Sequence, residues 1–438
     1  MVSMKTKAII STTLGIGFEW YDFFLYGLLS TIIAREFFPS SVPLLSLLLT
    51  YLVFFIGFLG RPLGGIIFGY LGDKYGRIYS LIFTLLFAGL SSLIVAILPT
   101  YYQIGIIAPI LLAVMRLIDG IGLGGEWGGS FSLTSEYVSL NRRGYYSGIL
   151  QATVSIATLL ISALSILLTS ILGANGFDTI GWRILFAIGF VIAILAVIIR
   201  LRIEDSPVFK KLQDKGKIER NPLFKAAKGY WKYIIAALFL VGIFNGVWYY
   251  VNYTLSISYA TSLAKEFHYP AVSLTVVDFA ILIVSIIGIF ASPIFGLLSD
   301  KIGRKYQMLI DAVFGIIFAY FYFSMLRSGN PELVITAITV SGLFVYYLAG
   351  AITPAVLVEL FPPQVRYTAI SMAYQIGVGL LGGSSPLLLT YLIGVTHDIN
   401  MPVYYMIGTG IIALIATLVI GETKGRSYEG EEEIATTR

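Results

Sequence analysis

Cysteine is absent from this chain of 438 residues, and histidine occurs only at His268 and His397. Disulfides, thiolate-bound metals and haem-thiolate chemistry are therefore excluded, and a metal centre built on histidine is not expected. We predict neither a cofactor nor a metal. The phosphate-binding pattern G-x-x-x-x-G-K-[ST] is also absent, which argues against ATP-driven transport.

Charge is scarce as well, because Asp, Glu, Lys and Arg together make up 12% of the residues while 57% are hydrophobic. A soluble domain has about a quarter of its residues charged. We therefore expect a protein embedded in a lipid bilayer. The net charge of +5 is distributed over connecting segments, so no nucleic-acid partner is expected.

Long apolar runs dominate the sequence. A helix needs about 20 apolar residues to span a bilayer, and twelve such runs are present. The fold class predicted is all-α, with twelve transmembrane helices. Basic residues are concentrated in alternate connections, which predicts a multi-pass protein of the cell membrane with both termini in the cytoplasm. The runs begin near Ala8, Pro43, Arg77, Gly105, Arg143, Trp182, Trp231, Ala271, Lys305, Glu332, Tyr367 and Met401.

The chain contains an internal repeat. GYLGDKYGR at 69–77 recurs as GLLSDKIGR at 296–304, and Glu136 followed by Arg143 corresponds to Glu359 followed by Arg366. This predicts two pseudo-symmetric six-helix bundles, an arrangement typical of transporters that rock one half against the other. We place the bundles at 1–203 and 230–422, a cytoplasmic linker at 204–229 and a cytoplasmic tail at 423–438.

The repeated G-x-x-x-D-K-x-G-R pattern resembles the loop motif of the major facilitator superfamily. GFEWYDFFLYG, RLIDGIGLGGEWGGS and EYVSLNRRGYYSGILQ resemble its metabolite:proton symporter branch, with EDSPVF and GETKGR shared with sugar porters. The resemblance implies a cytoplasmic latch that opens during transport; the alternative is simple anchoring of short basic loops. The gate residues would be Asp73, Gly76, Arg77, Glu136, Arg143, Asp300, Gly303, Arg304, Glu359 and Arg366.

Charged residues also occur inside the apolar runs. Glu19 and Asp22 lie in the first run, and the fourth run contains RLIDGIGLGGE. An ionised carboxylate at the bilayer centre costs roughly 2.5–3.5 kcal/mol on insertion scales, so such residues usually face a cavity. A stripe of glycines in the fourth run, at 120, 124 and 128, should let a neighbouring helix approach closely. The candidates for proton coupling are Asp22, Arg116, Glu19, Glu126 and Asp119.

Arg116 cannot lose its proton and therefore needs a carboxylate, and Asp22 lies at a matching depth. A neighbouring guanidinium favours the ionised form of a carboxyl group, whereas burial favours the protonated form. Separation of Arg116 from Asp22 would thus let Asp22 take a proton, with Asp119 or Glu126 receiving Arg116 or sharing that proton. The alternative is a static buried ion pair. The resemblance also implies an Asp on the first helix opposite an Arg on the fourth.

Substrate binding is assigned to aromatic and polar residues of both halves. Arg61 either binds a substrate carboxylate or serves as counter-ion to Glu19. The aromatic residues equally suit the membrane interface. The predicted binding residues are Tyr21, Tyr26, Arg61, Trp127, Gln151, Asn245, Tyr249, Asn252, Tyr374 and Gln375.

The function predicted is a proton-coupled secondary active symporter, acting as a monomer, that imports a small organic acid, sugar acid or zwitterionic metabolite by alternating access. Its partners would be that metabolite, protons and lipid. An uncoupled facilitator or exchanger of the same solutes is the alternative. A sugar porter is less favoured. A hexose porter would be expected to carry paired glutamines on the seventh helix and a tryptophan after the glycine on the tenth, where this chain has NGVWYY and GAITPAVL. A transporter-like sensor would need a longer cytoplasmic domain.

Overall fold

The computed structural model describes residues 4–41 and 43–428, and every regular element in those ranges is helical. Residues 429–438, with the acidic end of the predicted tail, lie outside the described part. Twelve long helical segments, here α1 to α12, follow one another along the chain. They are α1 Met4–Leu28, α2 Pro43–Tyr75, α3 Arg77–Ile97, α4 Ile107–Tyr137, α5 Arg143–Gly176, α6 Trp182–Arg200, α7 Trp231–Glu266, α8 Leu274–Ile302, α9 Arg304–Leu326, α10 Pro331–Leu360, α11 Arg366–Thr396 and α12 Met401–Ile420.

The prediction of an all-α membrane protein with twelve helices is confirmed. Within the described ranges, α2 to α12 each contain a stretch long and apolar enough to cross a membrane. The remaining segment, α1, contains the two carboxylates Glu19 and Asp22, which lower its hydropathy. Several helices begin at the residue that the sequence indicated, among them α2 at Pro43, α6 at Trp182 and α12 at Met401.

Short helices occupy the connections. In the linker, Ser206 accepts a hydrogen bond from the amide of Phe209, and Pro207 occupies the first turn. Both features are typical of a helix start, which explains why the helix Pro207–Asp214 begins at this position. The short helices are Ser30–Phe37, Tyr101–Ile104, the 3-10 turn Leu140–Arg142, Pro207–Asp214 and Pro222–Gly229.

Two glycines make the tight turns in the repeated motif. Gly76, between α2 and α3, has φ 117°, and Gly303, between α8 and α9, has φ 102°. Side chains with a Cβ rarely adopt this conformation. Glycine therefore supplies the tight turn in both copies of the motif.

Three helices of the second half contain π-helical stretches, which are frequent at functional sites. In α10, helix is interrupted after Gly350 and resumes at Thr353. The π-helical stretches are Gly242–Val247, Val251–Leu255 and Tyr259–Leu263 in α7, Gly342–Tyr347 in α10, Gly377–Gly382 in α11, and Phe177–Gly181 before α6.

The chain forms two compact units. Unit 1 comprises Met1–Tyr137, Ile156–Lys225 and Pro363–Ser371, and unit 2 comprises Val138–Ser155, Ala226–Pro362 and Met372–Arg438. The start of α5 thus belongs to unit 2 and the start of α11 to unit 1. In unit 1, α4 packs against α2 and α3, and α6 against α1 and α3; in unit 2, α9 packs against α12 and α10. The predicted boundaries at 203/204 and 229/230 stay a prediction.

Candidate substrate and proton site

A small cavity of about 20 Å³ lies in unit 1 among α1, α2 and α4. Its wall combines apolar rings with buried charges, the mixture expected of a small-molecule site. This volume holds about one water molecule, so a metabolite can bind here only after the helices move apart. The lining residues are Asp22, Phe23, Phe54, Gly57, Phe58, Arg61, Arg116, Asp119, Gly120 and Leu123.

Arg116 joins two carboxylates at this cavity. Its Nη2 atom donates to Oδ2 of Asp22 at 2.6 Å and to Oδ2 of Asp119 at 2.7 Å. All three side chains are buried. The predicted contact between Asp22 and Arg116 is confirmed, and Asp119 shares the same guanidinium nitrogen. Its role in proton coupling stays a prediction.

The second cation of the cavity, Arg61, donates from Nη1 to Oε1 of Glu19 at 2.9 Å. Its guanidinium also lies 5.5 Å from the ring centres of Phe23 and Phe58, a cation–π distance. Arg61 is therefore the counter-ion of Glu19, one of the two roles considered for it. Because it also lines the cavity, it remains available as a predicted substrate contact.

These five residues, Glu19, Asp22, Arg61, Arg116 and Asp119, are called the charge cluster below. The cluster has three carboxyl groups and only two guanidinium groups. One oxygen of each acid, namely Glu19 Oε2, Asp22 Oδ1 and Asp119 Oδ1, has no hydrogen-bond partner among the described residues. With every acid ionised the cluster has one negative charge in excess, which is costly in a buried site.

The cluster is held by a close approach of α2 and α4. A Cβ atom on Gly120 would lie 1.9 Å from the carbonyl oxygen of Gly57, and one on Gly124 would lie 2.2 Å from that of Arg61. The predicted role of these glycines is confirmed. Gly128 instead faces Ser371, whose Oγ would lie 2.3 Å from an added Cβ.

Glu126 departs from the sequence-based expectation that it could receive Arg116. Arg200, at the end of α6, donates to both oxygens of Glu126 at 2.9 and 2.5 Å, and Thr84 and Ser130 donate to it as well. This carboxylate is fully buried and fully hydrogen-bonded. Arg200 was not predicted as this partner, because a basic residue at the end of an apolar run is typical of a loop next to the membrane.

The aromatic candidates of unit 1 differ in position. Tyr26 lies beside the cluster, with its ring 5.2 Å from the Arg116 guanidinium, and its hydroxyl donates to the carbonyl of Thr50. Tyr21 instead donates to the carbonyl of Leu185 on α6, away from the cavity lining. Trp127 is buried and packs on Phe131 at 4.4 Å.

Unit 2 contains a cluster of buried tyrosines. Tyr249 stacks on Tyr253 at 4.7 Å and lies 5.2 Å from Tyr346, while Tyr347 lies 4.8 Å from Tyr346. Gln151 donates to the Tyr346 hydroxyl at 3.3 Å. The predicted residues Gln151 and Tyr249 therefore meet in one cluster.

The other unit 2 candidates bind backbone or are buried nearby. Asn245 donates to the carbonyl of Gly350 at 3.3 Å, and Asn252 donates to that of Ile338 at 3.4 Å. Tyr374 and Gln375 on α11 are buried. Their roles in substrate binding stay predictions.

The predicted gate residues of unit 1 meet at the start of α11. The two oxygens of Asp73 accept from the amides of Tyr367 and Thr368 at 3.2 and 2.8 Å. A carboxylate suits this position, because the first amides of a helix have no partner within the helix. Arg77 binds Asp73 and Glu136 at 3.1 and 3.2 Å. Glu136 also binds Arg366 at 3.2 Å.

Unit 2 repeats this arrangement. Asp300 accepts from the amides of Gly144 and Tyr145 at the start of α5, both at 2.9 Å. Arg304 binds Asp300 at 2.7 Å and Glu359 at 3.0 Å. Arg143 donates to the carbonyl of Arg426 at 3.4 Å. The Asp and Arg of the repeated motif thus have the same kinds of contact in both copies, whereas Arg143 and Arg366 differ in their partners.

A further repeated pair was missed from sequence. Asp205 accepts from the amide of Arg77 at 3.2 Å, and Ser206 donates to Glu136. Burial raises the pKa of Asp205, partly offset by the nearby Arg77 guanidinium. In the second copy, Glu422 accepts from the amide of Arg304 at 3.0 Å, and Thr423 donates to Glu359 at 2.9 Å. EDSPVF and GETKGR contain these residues, and their matching place after α6 and α12 was the available signal.

No group of three or more Asp, Glu, His or Cys side chains that could hold a metal ion occurs among the described residues. The charge cluster itself includes two guanidinium groups, which oppose cation binding.

Two family models match the chain: "Sugar (and other) transporter" over residues 7–225 and "Major Facilitator Superfamily" over residues 249–436. The proline/betaine transporter of Escherichia coli is 30% identical over 98% of this chain and 86% of its own length. A glycine betaine/proline/ectoine/pipecolic acid transporter of Dickeya dadantii is also 30% identical, over 98% and 86%.

The fold is that of solved transporters. The proton:xylose symporter XylE, bound to 6-bromo-6-deoxy-D-glucose, superposes with a TM-score of 0.79 over 99% of both chains, at 18% sequence identity. Matches to named transporters along nearly the whole sequence identify a multi-pass membrane transporter and not an enzyme. The chain belongs to the major facilitator superfamily.

Proposed function

We propose that the protein is a proton-coupled symporter that imports a small zwitterionic or carboxylated metabolite by alternating access. The observation that supports this most is the sharing of Arg116 by Asp22 and Asp119. Three buried acids meet two guanidinium groups in the charge cluster. One added proton makes the cluster neutral, which favours a stoichiometry of one proton per cycle.

In the proposed cycle Arg116 holds both carboxylates until substrate binding or helix movement withdraws it. Asp22 then has no counter-ion and accepts a proton, because an unpaired carboxylate is disfavoured at membrane depth. When Arg116 returns, it displaces this proton, which leaves toward the cytoplasm. The unpartnered Oδ1 atoms of Asp22 and Asp119 are the two places where the proton can bind.

We further propose a zwitterion, such as an amino acid or a betaine, as the first choice of solute. Arg61 and Arg116 offer guanidinium groups to a carboxylate, a favourable pairing for this group. The rings of Phe23, Phe54 and Phe58 suit an alkylated ammonium group. The relatives named above are described as transporters of proline and betaine. Organic acids and sugar acids are the second choice, and the amide and tyrosine side chains of unit 2 stay predicted binding residues.

The orientation follows from the basic residues. Lys and Arg are concentrated in alternate connections, including the linker with Lys210, Lys211 and Lys215. Such residues are retained on the cytoplasmic side, so we propose that both termini are cytoplasmic. We also propose that the transporter acts as a monomer in the cell membrane.

The test is uptake of labelled proline and glycine betaine into proteoliposomes under an imposed pH gradient. Symport of a zwitterion with one proton moves one positive charge, so the membrane potential is clamped at zero; each pH unit then corresponds to about 1.4 kcal/mol, or tenfold accumulation. Asp22→Asn should abolish accumulation while exchange of labelled for unlabelled solute continues. The control is Asp278→Asn on α8, an exposed acid outside the cluster.

Two outcomes would contradict the proposal. Normal accumulation by Asp22→Asn would remove this residue from proton coupling. Equilibration without accumulation by the wild type, at any pH gradient, would instead establish an uncoupled facilitator. If neither solute is transported, thermal-shift screening with amino acids, organic acids and sugar acids identifies the solute for the same test.

A further inference from the structure

A further buried carboxylate, Asp311 on α9, lies in unit 2 and has no part in the mechanism above. Its side chain has no solvent exposure. Oδ2 accepts a hydrogen bond from the amide of Ala349 at 2.7 Å, and Oδ1 has no hydrogen-bond partner among the described residues. Asp311 also forms no ion pair within that part of the chain, in contrast to Asp22 and Glu126.

The other ionisable groups around α9 do not supply a counter-ion. Of the two cations on the same helix, Arg304 is bound to Asp300 and Glu359, and Lys305 lies six residues before Asp311, about 9 Å away along the helix axis. Asp278 on α8 is exposed. Away from their ends, the neighbouring helices α7, α10 and α12 contain only tyrosines as ionisable residues, and α9 itself contributes Tyr322. The tyrosines of the neighbours are Tyr249, Tyr250, Tyr253 and Tyr259 on α7, Tyr346 and Tyr347 on α10, and Tyr404 and Tyr405 on α12.

Asp311 acts together with Gln307, one turn earlier on the same helix face. Gln307 Nε2 donates to the carbonyl of Leu348 at 2.6 Å, whereas Asp311 binds the amide of Ala349. These are the two polar groups of a single peptide unit in α10. Gln307 Oε1 is also without a partner among the described residues, so it offers an acceptor for a hydrogen on Asp311.

This peptide unit belongs to the segment where α10 is interrupted. Asn245 from α7 donates to the carbonyl of Gly350 at 3.3 Å, and Ser147 from α5 donates to that of Ala351 at 2.8 Å. Four consecutive residues, 348–351, therefore each have a backbone group bound by a side chain from another helix. Such bonds replace helical hydrogen bonds that an irregular segment lacks.

We propose that Asp311 binds a proton and that the resulting neutral carboxylic acid holds the interrupted segment 348–351 of α10. An ionised carboxylate at this position would be buried without a cation, which is strongly disfavoured. A carboxylic acid instead accepts from Ala349 through Oδ2 and donates from Oδ1. The protein thus has a proton site in unit 2 that contains no arginine and is separate from the charge cluster.

The proposal is tested with Asp311→Asn and Asp311→Ala. Asparagine reproduces the hydrogen bonds of a neutral acid, since its oxygen accepts from Ala349 and its NH₂ group donates. Asp311→Asn should therefore melt at the wild-type temperature at neutral pH, whereas Asp311→Ala, which leaves the Ala349 amide unpaired, should melt lower. At alkaline pH the wild type should lose its proton and destabilise, and Asp311→Asn should not. Equal destabilisation by both variants at neutral pH would overturn the proposal.

Infrared spectroscopy supplies a second, direct readout. The difference between wild type and Asp311→Asn should contain the carbonyl stretch of a protonated carboxylic acid, shifted in D₂O. The matched difference for Asp278→Asn should contain only carboxylate bands. Carboxylate bands at both positions would overturn the proposal. Neither readout requires a transported solute, so failure of the proposed symport would leave this result interpretable.

Discussion

At the scale of single residues, the buried acids of unit 1 are distinguished by their partners. Asp22 and Asp119 share one guanidinium group, and each keeps an oxygen without a partner among the described residues. Glu126 receives Arg200 and two hydroxyl groups. The first arrangement has an excess negative charge and can gain a proton, whereas the second is already balanced.

Glu126→Gln should therefore destabilise the protein without altering proton coupling. Removing one partner of a buried pair typically costs about 3–5 kcal/mol, because Arg200 would be left without a counter-ion. The measurements are denaturant unfolding in detergent and the pH dependence of uptake in proteoliposomes. The double variant Glu126→Leu, Arg200→Met is the control and should recover much of the stability. Loss of pH dependence with unchanged stability would instead assign Glu126 to coupling.

The contact of Arg116 with Asp22 could be predicted because a membrane arginine requires a carboxylate at its own depth. The assignment of Glu126 to the same site failed for geometric reasons. Ten residues separate Arg116 from Glu126, which places them about 15 Å apart along the helix axis. Ten residues also leave the two side chains about 80° apart around the helix axis, so they do not share a face. The ion pair of Arg200 with Glu126 was not predicted, because a basic residue at a helix end resembles one in a loop.

At the scale of elements, the cluster depends on how closely α2 and α4 approach. Gly120→Ala should separate them, because the new Cβ would lie 1.9 Å from the carbonyl oxygen of Gly57. Backbone cannot yield as a flexible side chain does, so we expect a lower melting temperature and a broadened size-exclusion profile. Gly17→Ala on α1 is the control, since no atom lies within 4 Å of its added Cβ. An unchanged profile for Gly120→Ala would mean that the helices are farther apart.

The lengths and starts of the helices were predictable because apolar runs of spanning length have few alternatives. The π-helical stretches could not be predicted. One extra residue per turn does not change the hydrophobic pattern of a run in which every residue is apolar. The interruption of α10 did have a signal. Pro354 follows directly on Thr353, where helix resumes, and proline favours a first turn and disfavours helix before it. The bonds from Gln307 and Asp311 to this segment depend on packing and could not be predicted.

At the scale of the whole molecule, the repeat provides a matched pair of tests. Asp73→Ala should expose the amides of Tyr367 and Thr368 to faster hydrogen exchange, because each loses its acceptor. Asp300→Ala should do the same for Gly144 and Tyr145. Hydrogen–deuterium exchange with mass spectrometry measures both, and each variant is the control for the other. Protection at 367–368 that persists in Asp73→Ala would exclude this aspartate as their cap.

The internal duplication includes the hydrogen bonds of the gate aspartates but not the charges within the helices. Asp73 and Asp300 have equivalent contacts, yet within the described residues the shared arginine occurs in unit 1, while unit 2 contains Asp311 without a cation. The two copies have therefore diverged in the region that we propose to couple transport to protons. Under that proposal, substitutions among the tyrosines and amides of the second half change which nutrient is carried while the coupling charges stay the same. The transported nutrient could thus change during evolution without a change in the energy source.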